Sequence, residues 1–183
     1  MKELRIVELR AAEDTERMIV EGYAAVYDSV TNLGWINEVI LPGAFDNTDM
    51  TDVCMKYNHS DELLIMARTR NNSLQLSVDE HGLKIYAELL DTTQNRDLYK
   101  MIRAGLLTKM SFAFTVAREE MDYDTDTRKI LEIDKLFDVS VVDVPAYEST
   151  EIYARSKEEY EEEKRKYLKL KLEKKKALAI INL

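Results

Sequence analysis

Of the three residue types that together perform acyl transfer, histidine is scarce enough here to be followed by position. The chain has two histidines, His59 and His81. Imidazole, with an unperturbed pKa of about 6.5, is well suited to take a serine proton near neutral pH. His59 lies in Tyr57-Asn58-His59-Ser60. Downstream, Lys109-Met110-Ser111-Phe112-Ala113-Phe114 reads as a strand whose Met110, Phe112, Phe114 and Val116 share one face by the two-residue period. Ser111 falls on the other face beside small neighbours, where its hydroxyl can reach a ligand. A carboxylate can fix the tautomer and orientation of the imidazole, and Asp138 stands on a strand whose Phe137, Val139 and Val141 point the other way. In that scheme Ser111 is the nucleophile, His59 the general base and Asp138 the orienting acid. The order His, Ser, Asp differs from familiar triads, but a triad is defined by geometry.

Taken singly, the same residues have plainer readings. A strand serine is ordinarily a surface or packing residue, a histidine in a polar loop is ordinarily solvated, and Asp138 reads equally as a strand-face carboxylate. His81 sits in turn chemistry, Asp79-Glu80-His81-Gly82, where exposure is the default. Cys54, the single cysteine, reads as a small buried hydrophobe with no partner for a disulfide or metal site. The sequence contains no glycine-rich phosphate loop, no Gly-x-Ser-x-Gly elbow and no His-Glu-x-x-His, so no metal and no organic cofactor is expected. Glu38, Asp61, Glu62 and Asp91 offer glycosidase-type carboxylate pairs, but an acidic chain supplies such pairs by chance.

Positioning these groups needs a core, and the composition supplies one. The 183 residues suit one domain plus an appendage, with 45% hydrophobic and 33% charged residues. No run of about 20 apolar residues suggests a membrane span. Charges in Met1-Lys2-Glu3-Leu4-Arg5 occupy the place of a secretory apolar segment. The lone cysteine fits a reducing cytosol. A net charge of −9 argues against nonspecific nucleic-acid binding, which needs cations to replace phosphate counterions. Between Lys157 and Lys176 the balance is +3, leaving −12 on the rest.

The body reads as mostly strands: Ile19 to Tyr27, Glu38 to Leu41 before Pro42-Gly43, and a hairpin of Leu74 to Val78 and Leu83 to Leu89 about the Asp79–Gly82 turn. A helix is predicted over Thr93–Arg103, capped by threonine and stopped by Gly105. Beyond the Ser111 strand, Glu119 to Asp126 reads as an exposed connection or mobile loop. Lys129 to Leu136 and Phe137 to Val142 then read as strands stopped by Pro145. From Ser156 to Lys176 a projecting charged helix is expected, with Tyr153, Tyr160 and Tyr167 at seven-residue spacing. Alternation of Leu168, Leu170 and Leu172 weakens the helical pattern there.

From Gly22 to Tyr147 these landmarks, in order, resemble the prohead maturation proteases of tailed bacteriophages. Gly22-Tyr23-Ala24 with Val26-Tyr27, Leu41-Pro42-Gly43-Ala44-Phe45, Tyr57-Asn58-His59 and His81-Gly82-Leu83 carry the first half. Gly105-Leu106, Lys109 to Phe114, Asp138-Val139-Ser140-Val141-Val142 and Val144-Pro145-Ala146 carry the second. The resemblance implies a mainly β chain with a few helices (α+β), folded as an antiparallel β barrel like the herpesvirus assemblins. A protease domain is expected over residues 1–155, and the charged, helical tail expected over 156–183 lies outside the resemblance.

It also implies a serine endopeptidase with Ser111 as nucleophile, His59 as general base and Asp138 as third member, where the family pattern commonly has glutamate. Its substrates would be the phage major capsid protein and scaffold, with self-cleavage, inside the immature capsid in the host bacterial cytoplasm. A homo-oligomer, such as a dimer, is expected by likeness to the herpesvirus enzymes. The rival classes are a catalytically silent scaffold-binding assembly protein and a small-substrate esterase or amidase using the same triad.

Overall fold

The computed structural model describes residues 3–11, 17–143 and 150–181. The expected stop at Pro145, with Val144, Ala146 and Tyr147, lies outside the described residues, as does the side chain of Tyr153. In chain order the strands are β1 (Glu3–Ala11), β2 (Met18–Val26), β3 (Thr31–Asn32), β4 (Asn37–Ile40), β5 (Cys54–Tyr57), β6 (Ala67–Arg68), β7 (Leu74–Val78) and β8 (Gly82–Leu89). Helix α1 (Thr93–Arg103), strands β9 (Lys109–Asp122) and β10 (Thr127–Val142), and helix α2 (Thr150–Ile181) follow.

The strands lie in the order β3-β4-β10-β9-β1-β2-β8-β7, with β5 against β10 and β6 beyond it. This is an α+β arrangement, but it corrects the expected barrel in two ways. Among the described residues the sheet is an open path, because β3 and β7 end it without pairing to each other. It is also mixed: β10 takes β4 and then β5 as successive parallel neighbours along one edge. Two short partners sharing one long strand fork the sheet instead of carrying it round to closure.

Local chemistry explains the elements that lead to the proposed nucleophile. Leu74 and Leu83, Ile85, Ala87 and Leu89 bury the hairpin's inner face at the predicted period. Helix α1 begins where Thr92 Oγ1 accepts from Asn95 N at 3.2 Å. It ends as Gly105 turns to φ +71°, with Leu106 N donating to Met101 O at 2.9 Å and Gly105 N to Ile102 O at 3.0 Å. That paired reversal satisfies the last carbonyls and delivers the chain to β9. Leu98, Tyr99 and Ile102 hold the helix on the core.

Strand β9 buries Met110, Phe112 and Phe114, as its alternation predicts. Ser111 and Ala113 are buried as well, so the second face is covered and not open to solvent. Strand β1 lies beside β9, pairing Ile6 with Ser111. The stretch expected as a loop, Glu119 to Asp126, is strand as far as Asp122, leaving a short turn.

That turn receives the tail, which therefore does not simply project. Lys164 Nζ donates to Asp126 Oδ1 at 2.5 Å, and the Tyr160 hydroxyl donates to the same oxygen. One helical repeat later, Lys171 Nζ and the Tyr167 hydroxyl bind Asp124 at 2.6 and 3.2 Å. Tyr160 also packs on Trp35, their rings 5.0 Å apart. Helix α2 continues unbroken through Leu168, Leu170 and Leu172.

Candidate active site

The site is assembled from three neighbouring strands. On β10, Ser140 stands opposite Ser111 of β9 and beside Lys56 of β5; two residues earlier, Asp138 stands opposite Ala113 and beside Cys54. Register partners share a face, so the sheet presents two rows, Ser111–Ser140–Lys56 and Ala113–Asp138–Cys54. This phase depends on a bulge. Leu136 pairs with Phe114 and Asp138 with Ala113, leaving Phe137 as the extra residue. The bulge lets Leu136 and Val139 both enter the core while Asp138 turns to Ser111's face. Phe137, read from alternation as a companion of Val139, is only partly buried beneath Lys135, whose Nζ lies 5.9 Å from its ring centroid.

His59 reaches this face from a tight reversal after β5. Asn58 and His59 both take left-handed backbone, with φ of +51° and +55°, a conformation that costs a non-glycine residue about 1–3 kcal/mol. Neighbouring bonds hold it. Asn58 N donates to Val141 O at 2.9 Å, Asn58 Oδ1 accepts from Asp143 N at 3.1 Å, and Ser60 N donates to Tyr57 O at 3.0 Å. Ser60 Oγ then accepts from Glu62 N and Leu63 N at 3.2 and 3.3 Å. The Tyr57 hydroxyl donates to Asp143 Oδ2 at 3.1 Å. The loop is thus fastened to the end of β10 from both sides.

Within the site, His59 Nδ1 lies 2.5 Å from Asp138 Oδ1. An ionised carboxylate only accepts, so this bond assigns a proton to Nδ1, and in the neutral ring Nε2 then carries the lone pair. The Asp138 side chain is 1% exposed and that of His59 14%. Ser140 Oγ donates to the same Asp138 oxygen at 2.9 Å. His59 Nε2 and Ser111 Oγ are both buried with no hydrogen-bond partner among the described residues. Such atoms are uncommon in folded proteins because each sacrifices solvation without return. His59 is bound to Asp138, and Ser111 stands opposite the Ser140 that donates to the same carboxylate oxygen. His59 Nε2 and Ser111 Oγ are not hydrogen-bonded to each other here; catalytic bonds are often longer before the reacting complex forms.

Lys56 is the neighbour that sequence reasoning did not single out. Burial disfavours its ammonium, but the Asp61 carboxylate bound to it and the charge of Asp138 outweigh that, raising its pKa above the ordinary lysine value. It therefore stays protonated near neutral pH and contributes positive charge, not a base. Its period-two relation to Cys54 on β5 was visible, but the pairing of β5 with β10 was not. Cys54 is a free thiol, partly buried. His81 is exposed in its turn, stacked on Tyr23, and takes no part.

The family model for the caudovirus prohead serine protease matches residues 5–165. The chain belongs to that family. The match exceeds the Gly22–Tyr147 stretch of landmarks at both ends, taking in most of β1 and the first half of α2, including Tyr160 and Lys164. A prohead protease of Enterobacteria phage HK97 is 30% identical over 151 residues, covering 80% of this chain and 64% of that protein's length. The chain thus spans somewhat less than two thirds of that prohead protease. Among solved structures, the bacteriophage T4 capsid assembly protease, gp21, is similar with a TM-score of 0.48 and 12% identity, over 77% of this chain and 98% of the other.

Proposed function

We propose that the chain is the serine endopeptidase of phage prohead maturation, with Ser111 as nucleophile, His59 as general base and Asp138 as orienting carboxylate. The observation that carries this reading is the pairing of a buried, unpartnered Ser111 hydroxyl with a buried, unpartnered His59 Nε2 whose other nitrogen is tied to Asp138. As Ser111 Oγ attacks the scissile carbonyl carbon, His59 Nε2 takes the hydroxyl proton, and the carbonyl electrons move onto oxygen. The tetrahedral adduct collapses, the peptide C–N bond breaks, and His59 returns the proton to the leaving amine. Water then attacks the acyl-serine by the same route in reverse. Asp138 keeps Nδ1 protonated throughout and stabilises the imidazolium while it exists.

The substrates in this reading are the phage major capsid protein and scaffold, and the enzyme itself, cut within the immature capsid in the host cytoplasm. The protease domain occupies residues 1–155 and the charged tail 156–183, and the enzyme works as a homo-oligomer such as a dimer. The test is co-expression with the capsid and scaffold proteins of the same phage. The wild-type chain yields shortened products, and Ser111→Ala and His59→Ala yield none. Unchanged processing by Ser111→Ala removes the nucleophile. Turnover of simple esters by the wild type, without cutting either protein, assigns the triad to small substrates instead.

A further inference from the structure

We propose that Ser140 is a positioning residue of the reaction, acting through Asp138. The inference rests on the triad reading above. Ser140 is fully buried, and its single hydroxyl proton is committed to Asp138 Oδ1 at 2.9 Å. That oxygen is the one bound by His59 Nδ1 at 2.5 Å. Two donors converging on one carboxylate oxygen fix the carboxyl group's rotation about its last bond, and with it the plane and direction of the imidazole. The final torsion of aspartate is broad, so losing the Ser140 bond removes one of these two constraints.

Placement gives Ser140 a second effect. It stands directly opposite Ser111 across the β9–β10 ladder, where paired side chains come within about 5 Å. Two facing hydroxyls at that spacing readily bond to each other, and a Ser140 proton donated to Ser111 Oγ would engage one of its two lone pairs and lower its nucleophilicity. Donation to Asp138 consumes that proton instead, and Ser111 Oγ indeed has no partner. Were packing the only requirement at position 140, alanine would serve and no polar atom would need burying. Lys56, on the other side of Ser140, gives its ammonium to Asp61.

The test is a double-mutant cycle on cleavage of a peptide spanning a mapped capsid processing site. Ser140→Ala is expected to lower kcat about 10-fold to 100-fold with KM little changed, the size set by losing one hydrogen bond to a charged group. Ser140→Thr, which keeps the hydroxyl, restores most of the rate. In an Asp138→Ala background, Ser140→Ala costs nothing further, because its route of action is already gone. An equal loss in both backgrounds means that Ser140 acts by packing, and unaltered kcat in the single variant means that it does not act at all; either overturns the proposal. Ser111→Ala, run alongside, separates the two levels. If it still cuts, the triad reading fails, whereas an inactive Ser111→Ala beside a fully active Ser140→Ala sinks only the positioning role.

Discussion

The β9–β10 ribbon treats polar groups in opposite ways at its two ends. At the end bearing Ser111, the sheet is buried on both faces, and Ser111 Oγ, like Nε2 of His59 in the loop beside it, has no partner among the described residues. At the turn end, Asp124 and Asp126 each take a lysine ammonium and a tyrosine hydroxyl from α2, while Tyr123 stacks on Tyr160 and donates to Glu163 at 2.7 Å. One end spends hydrogen-bonding capacity on stability and the other withholds it. On the proposed function, reactivity and anchorage are separated along a single hairpin, and each should be removable without the other.

The largest effect expected from breaking that separation is at Ser111. Ser111→Ala should lower kcat on the order of 10⁴-fold to 10⁶-fold, while a thermal melt shows stability unchanged or raised by up to roughly 1 kcal/mol, since a buried unsatisfied hydroxyl is removed. Asp138→Asn should follow, with a loss of up to about 10⁴-fold in kcat, because the amide can donate to Nδ1 and stabilise the wrong tautomer. A steady-state assay giving near-wild-type kcat would detach the carboxylate from the chemistry.

At the other end, Tyr160→Ala should cost roughly 2 kcal/mol of stability through lost burial and aromatic contact, with kcat retained. The chain has one tryptophan, Trp35, which touches Tyr160, so its fluorescence reports docking of α2 directly. A matching loss of activity would show that the two ends are coupled.

The smallest effects are in pH. The Lys171 and Lys164 ammoniums hold the carboxyls of Asp124 and Asp126 below the usual aspartate range. Their contribution is fully present above the unfolded value of about 3.9 and fades as pH falls through the lower folded values. Tyr123 behaves oppositely. Burial and the Glu163 carboxylate push its hydroxyl up to about 12, so its contribution is complete below about 10 and is lost between there and 12. Trp35 emission titrated in both directions should show a docking plateau between two shallow losses; a flat trace at both extremes would mean that these groups do not hold the tail.

Legibility in the sequence followed the range of the interactions. The hairpin about Gly82, the capped helix over Thr93–Arg103 and the alternation about Ser111 are each encoded within about 16 residues, and all three form, although Val78 of the hairpin is exposed and the Ser111 face is covered. The phase of Asp138 came out right for an incomplete reason. Leu136 and Phe137 are adjacent and both apolar, so periodicity could not reveal that Phe137 is the bulge residue and Leu136 the core one. Strand β1 escaped notice because Glu3, Arg5, Glu8 and Arg10 interrupt its apolar positions. The parallel seating of β4 and β5 on β10, which opens the sheet and brings Lys56 beside Ser140, has no local signature. Nor does the capture of the Asp124–Asp126 turn by tyrosines and lysines 34 to 47 residues away. Family landmarks supplied the pairing of His59 with Ser111 that composition left open.

The seating of β1 between β9 and β2 has a consequence in time. Its residues precede their β9 partners by about a hundred positions, so during translation at 5–20 residues per second they wait roughly 5–20 s before Ser111's strand exists to receive them. The strand bearing Asp138 arrives later still. Non-local pairing of this kind slows folding, and translation delivers the three residues of the proposed triad in a fixed order, His59, then Ser111, then Asp138. On the proposed function, a nascent chain that has not yet reached Asp138 holds no complete triad.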